Sequence, residues 1–166
     1  LLATAFVWIS FRVAVDTSYL EIAGQMVFLG VGLGSTTAPA TESIMGSLSA
    51  DKAGIGSAVN DTTRELGGTL GVAIIGSVFS SVYVDALDDA GDDSTFAQLP
   101  PEAQEITRES VGAARLVADE LGAGAAPYLS QVNEAFLSGL GVGCLVAAGV
   151  AFGGAIFASR FLPARA

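Results

Sequence analysis

Charged residues divide this chain into long uncharged runs, and the runs set the expected architecture. Ile22 to Thr41 is uncharged between Glu21 and Glu42, Leu66 to Val84 is uncharged, and Ala135 to Ser159 is uncharged up to Arg160. A helix needs about 20 predominantly apolar residues to cross a bilayer, and the three runs have that length. Leu1 to Phe11 is apolar but too short, and reads as the remnant of a severed span. The pattern predicts an all-α integral membrane chain. It has a truncated helix at 1–11, helices at 20–48 and 56–84, a last helix at 131–159 and a tail at 160–166.

The connections differ in kind. Arg12 to Tyr19 and Ser49 to Ile55 are short polar turns, so the helices they join should be antiparallel neighbours. Residues 85–130 form a long loop with Pro100-Pro101 and Pro127 as breakers. Within it Ala103, Ile106, Ala113, Ala114, Val117 and Leu121 recur at roughly helical spacing. This predicts one surface helix over 101–121, part of a small cap over the mouth of a helix bundle.

Composition agrees with lipid. The chain is 51% hydrophobic and 14% charged, with a mean hydropathy of +0.59, which points away from disorder. The net charge of −10 is mostly local, because ten acids stand against Arg108 and Arg115 between Asp85 and Ser130. No basic face exists to neutralise phosphates, so no nucleic-acid partner is expected. Lys52, Arg160 and Arg165 fall on one side and Arg12, Arg108 and Arg115 on the other. By the positive-inside rule this leans toward a cytoplasmic Lys52 turn and C-terminus, with the long loop outside. Leu1 already lies in an apolar run with no basic segment before it, which is not a signal-peptide pattern.

Candidate chemistry is sparse, and no cluster supports an enzyme, a cofactor or a metal site. Histidine is absent and Cys144 is the single cysteine. It is read as a small packing residue. The acidic loop lacks the spacing of a calcium-binding loop and reads as a solvated segment. Gly30-x-Gly32-x-Gly34 and Gly139-x-Gly141-x-Gly143 lack the further glycine or lysine of nucleotide loops. They read as close-packing faces, as do Gly67-x-x-x-Gly71 and Gly149-x-x-x-Gly153.

Two groups of polar residues stand out. Pro39 should bend its helix, the neighbouring threonine hydroxyls should satisfy the carbonyls it frees, and Glu42, three residues on, shares its face. A carboxylate there must be paired, wet or protonated. It is either a proton-titrating or substrate-contacting group, or a side chain snorkelling to the inner interface. Asp61, Arg64 and Glu65 share one side of the next helix, with Arg64 bracketed by carboxylates. They form either a gating network or an ion-pair patch that fixes packing. Pro39 with Gly67, Gly68 and Gly71 would permit bending and close sliding contact.

Three stretches together carry a family resemblance: Ala38-Pro39-Ala40-Thr41-Glu42-Ser43-Ile44-Met45-Gly46, Lys52-Ala53-Gly54-Ile55-Gly56-Ser57-Ala58-Val59-Asn60, and Arg64-Glu65-Leu66-Gly67-Gly68-Thr69-Leu70-Gly71-Val72-Ala73. They resemble the fourteen-helix drug:proton antiporter branch of the major facilitator superfamily, the EmrB/QacA-like exporters. The resemblance implies the C-terminal end of a plasma-membrane transporter, with residues 1–11 in the eleventh helix and the others in the twelfth to fourteenth. It implies efflux of small, often lipophilic compounds in exchange for protons, and a need for the missing N-terminal helices as packing partners. An uptake carrier or facilitator for a metabolite, and a non-transporting helical membrane protein, remain alternatives.

Overall fold

The computed structural model describes residues 1–46 and 48–161, without the side chain of Ala50. Arg165 and the rest of the tail beyond Phe161 therefore lie outside the described residues. The described chain is all-helical: α1 (Leu2–Arg12), α2 (Tyr19–Gly46), α3 (Ala53–Asp88), α4 (Pro101–Glu109), α5 (Val111–Leu121) and α6 (Ala125–Phe161). Single 3-10 turns at Ala50–Lys52 and Gly122–Gly124 lead into α3 and α6. Among the described residues two stretches are long and apolar enough to cross a membrane, Ala53–Asp88 and Val111–Phe161. α2 matches them in kind of length at 28 residues, but Ser35, Thr36, Thr37 and Pro39 dilute its apolar character.

α6 is the central helix. It packs along α1 on one side and α3 on the other, while α2 lies against α1. Close contacts give the directions. Gly139 meets Phe79 and Gly143 meets Ile75, so α6 runs antiparallel to α3. Gly141 meets the Ser10 carbonyl, and a groove lined by Ala3, Val7, Leu145 and Phe152 continues that seam, so α6 is antiparallel to α1 as well. Gly24 against Trp8 and Gly32 against Leu2 make α1 and α2 an antiparallel pair. Their turn is built from local bonds. Ser18 Oγ accepts the Glu21 N–H at 3.3 Å, capping α2, and Thr17 Oγ1 accepts the Ala14 N–H at 2.7 Å.

α3 and α6 have 36 and 37 residues, which makes each about 54–56 Å long. A hydrocarbon core is about 30 Å thick, so both helices overrun it by roughly 24–26 Å, a little under half their length. The overrun is where the main core sits. Tyr83, Leu87, Phe96, Leu99, Ala114, Val117, Tyr128 and Val132 are buried together, drawn from α3, α5, α6 and the segment between α3 and α4. Residues 85–130 thus form a folded cap, with acids such as Asp85, Asp89, Asp92 and Glu105 on its surface and its apolar residues inside. The solvated-loop reading holds for the carboxylates and fails for the backbone that carries them. Where the sequence suggests one surface helix over 101–121, there are two. Ser110 is extended (φ −169°, ψ 154°) and its Oγ accepts the Ala113 N–H at 3.0 Å, ending α4 and capping α5.

The remaining helix surface is the reverse of a water-soluble protein's. Leu66, Leu70, Val72, Val150, Phe152 and Ile156 are all exposed on the ends of α3 and α6 away from the cap. Exposed apolar surface of this kind fits lipid or further helices.

Candidate functional site

Pro39 and Glu42 lie on the last turns of α2, both exposed. Pro39 has no N–H, so the Ser35 carbonyl loses its usual donor four residues on. Ser35, Thr36 and Thr37 donate their hydroxyls to the carbonyls of Val31, Gly32 and Leu33 at 2.7, 2.9 and 3.1 Å. These are not the carbonyl that Pro39 frees, which corrects the expected compensation. A helical hydroxyl reaches back only three or four residues, and the positions that would reach Ser35 are Ala38 and Pro39 themselves. The hydroxyls instead load the turn just before the proline. Glu42 makes no hydrogen bond or ion pair among the described residues.

α2 and α3 meet only near their turn, where Gly56 packs against Leu48 and Met45. Asn60, one turn further along α3, is still buried and donates to Asp61 Oδ1 at 3.5 Å. Beyond it every residue from Asp61 to Leu70 is exposed. Asp61, Arg64 and Glu65 therefore share an open helix surface, and among the described residues they close no salt bridge with one another. Shallow grooves run along this surface, one past Ile55, Val59 and Thr63 and the next past Arg64, Glu65, Gly68 and Val72. The antiparallel turn brings the Glu42 end of α2 and the Asp61 end of α3 to the same end of the molecule. No contact joins the two groups.

The glycines separate into two sets. At Gly139 an added Cβ would lie 3.0 Å from the Phe79 carbonyl oxygen, at Gly32 2.9 Å from Leu2 Cγ, and at Gly143 3.4 Å from Ile75 Cγ2. These permit close helix approach. Gly67, Gly68, Gly71, Gly149 and Gly153 have nothing within 4 Å, so their faces are open.

Several polar contacts were not anticipated. Arg12 grips Glu21 across the first turn, Nε to Oε1 at 2.9 Å and the second nitrogen to Oε2 at 3.4 Å. The hydrogen bond to Glu21, then its charge, raises the Arg12 pKa, and the reciprocal bond from Arg12 lowers that of Glu21. One turn along α2, Gln25 is 3% exposed and its Nε2 has no hydrogen-bond partner. In the cap, Tyr83 donates to the Thr107 carbonyl at 2.9 Å. The Thr107 and Tyr128 hydroxyls bond at 2.7 Å, and Tyr128 reaches the Ala114 carbonyl at 3.2 Å. Burial pushes the Tyr128 phenol up, against the opposing pull of the Thr107 bond. Arg108 pairs with Asp88 at 2.7 Å while lying 4.9 Å over the Phe96 ring. Mirror-image charges flanking a short turn, and tyrosines at the ends of apolar runs, were the available signals.

No protein-family model matches the chain, and no solved structure matches it significantly. Two curated proteins do. The multidrug efflux pump LfrA of Mycolicibacterium smegmatis is 34% identical over 128 residues, which is 76% of this chain and 24% of that protein. The tetracenomycin C resistance and export protein of Streptomyces glaucescens is 26% identical over 153 residues, 91% of this chain and 28% of that protein. The chain spans about a quarter of the length of these relatives. It is a homologue, over that quarter, of proteins named for drug efflux and antibiotic export, and with its two long apolar helices this supports a membrane protein.

Proposed function

We propose that this chain forms the C-terminal helices of a major facilitator superfamily drug exporter of the fourteen-helix branch. It would act with the preceding helices of the same transporter, in the plasma membrane, with its C-terminus cytoplasmic. The observation that carries the reading is the similarity to two export proteins across 76% and 91% of the chain. The transported compounds would be small and often lipophilic, leaving in exchange for protons by alternating access.

Glu42 is the residue assigned to coupling. It is exposed on the last turns of α2, three residues past Pro39. When helices close over it, an isolated carboxylate becomes expensive to keep charged. It must then take a proton or a cationic substrate, and the two compete for one site. That competition is what an exchanger requires. Asp61, Arg64 and Glu65 would supply charges that pair in one state of the transporter and separate in the other. Pro39 and the open faces at Gly67, Gly68 and Gly71 would let the helices bend and slide.

The test is Glu42→Gln in the whole transporter. Drug resistance and proton-driven transport should fall while membrane expression stays intact. Unchanged resistance together with unchanged proton-coupled transport removes Glu42 from the mechanism.

A further inference from the structure

α3 and α6 are joined at one end and free at the other. Near the cap, Phe79 stacks on Tyr83 at 6.1 Å and meets Phe136 edge-on at 5.4 Å, with Gly139 tight against Phe79. Tyr83 and Leu87 are 2% and 1% exposed. Four turns away every residue from Asp61 to Leu70 is exposed, Leu66 and Leu70 by 59% and 61%, and a methyl added at Gly67, Gly68 or Gly71 would meet nothing within 4 Å. The register set by the pairs Phe79–Gly139 and Ile75–Gly143 carries Gly71 level with about Ala147, and the close seam ends between Ile75 and that level.

We propose that the cap is a clamp: it holds the outer ends of α3 and α6 as one rigid body and confines their relative movement to the inner halves. The clamp is polar as well as apolar. Tyr83 of α3 donates to the Thr107 carbonyl of α4, and Thr107 bonds Tyr128 of α6. Tyr128 also holds the Ala114 carbonyl of α5. One threonine therefore links α3 to α6 through buried bonds, which cannot be exchanged for bonds to water without opening the cap. On the other side, the Phe96 N–H donates to Gln131 Oε1 of α6 at 3.1 Å, and Arg108 ties α4 back to Asp88 of α3. Tightly packed interfaces hold discrete arrangements, whereas a face with no partner has none to hold. The inner halves, whose neighbours would be lipid or helices outside this chain, are thus the part whose contacts can change.

The test uses the full-length protein in lipid, in a Cys144→Ala background, and needs no transport activity. Spin labels are placed at two exposed outer positions, Ser81 and Ser138, or at two exposed inner positions, Thr69 and Val150. The outer pair should give one narrow distance that does not shift when the transmembrane pH gradient is imposed, and the inner pair a broader one that does. Thr107→Val, and separately Tyr128→Phe, should broaden the outer distribution. An outer pair as broad or as mobile as the inner one overturns the proposal. So does an outer pair that stays narrow in both variants.

Discussion

Gly139 offers the sharpest test of the seam on which α6 is built. A methyl group there would lie 3.0 Å from the Phe79 carbonyl oxygen and 3.0 Å from Phe79 Cδ2. The ring is a side chain held between Tyr83 and Phe136, and the carbonyl belongs to the α3 backbone, so neither yields without moving the helix. Gly139→Ala must therefore push α3 and α6 apart by a few tenths of an ångström. Overpacking of this kind costs about 1–3 kcal/mol, offset by about 1 kcal/mol of helix propensity gained on leaving glycine. One turn along the same face, a methyl at Gly143 would meet only the Ile75 Cγ2 methyl at 3.4 Å, an ordinary contact with a side chain that can yield. Gly143→Ala should keep most of its propensity gain. Thermal unfolding of the two variants of the whole protein in detergent should place Gly139→Ala below Gly143→Ala by about 1–3 kcal/mol. Equal stability, or the reverse order, would show that α3 and α6 do not meet at Phe79 as described.

Two further predictions concern the cap. Thr107→Val keeps the shape but removes the hydroxyl that lies within bonding distance of both Tyr128 and the Ala103 carbonyl. It should destabilise the cap by about 1–3 kcal/mol, seen as faster amide exchange in α4 and α5, and unaltered exchange there would refute the network. Tyr128 supplies a pH dependence. Its phenol pKa is raised in the folded state, so its contribution is fully present below the unfolded value of about 10 and is lost as pH rises through the raised folded value. Cap stability should fall in strongly alkaline solution, and Tyr128→Phe should flatten that fall. An identical alkaline loss in the variant would place the cause elsewhere.

The spans were legible because lipid imposes a simple demand, an unbroken apolar stretch of sufficient length. The runs at Leu66 to Val84 and Ala135 to Ser159 lie inside α3 and α6. Their ends were less legible, because both helices continue past the last apolar residue into the cap. Asp85 and Asp88 remain helical since Leu87 and Tyr83 are buried against Phe96 and Tyr128. That burial depends on residues beyond the next turn, Tyr128 being 41 and 45 positions from Leu87 and Tyr83, which no local pattern reveals. The break at Ser110 has a local signal, a capping side chain before an apolar run, but the helical spacing on either side masked it. Glycine roles divide for the same reason. Gly139 and Gly67 look alike in sequence, and only the neighbouring helix distinguishes a tight seam from an open face. At the end away from the cap, Glu42, Asp61, Arg64 and Glu65 lie on exposed turns of α2 and α3. Their mutual pairing, which spacing on one helix suggested, requires side-chain geometry that spacing does not fix.

The activity proposed for the whole transporter is export of lipophilic compounds in exchange for protons. Reconstituting the whole protein in liposomes and following a lipophilic dye cation under an imposed pH gradient tests it directly. The account predicts dye movement opposite to the proton flux, abolished by a protonophore and weakened in Glu42→Gln. Dye movement of equal rate with and without the gradient, or none at all from folded protein, would contradict it.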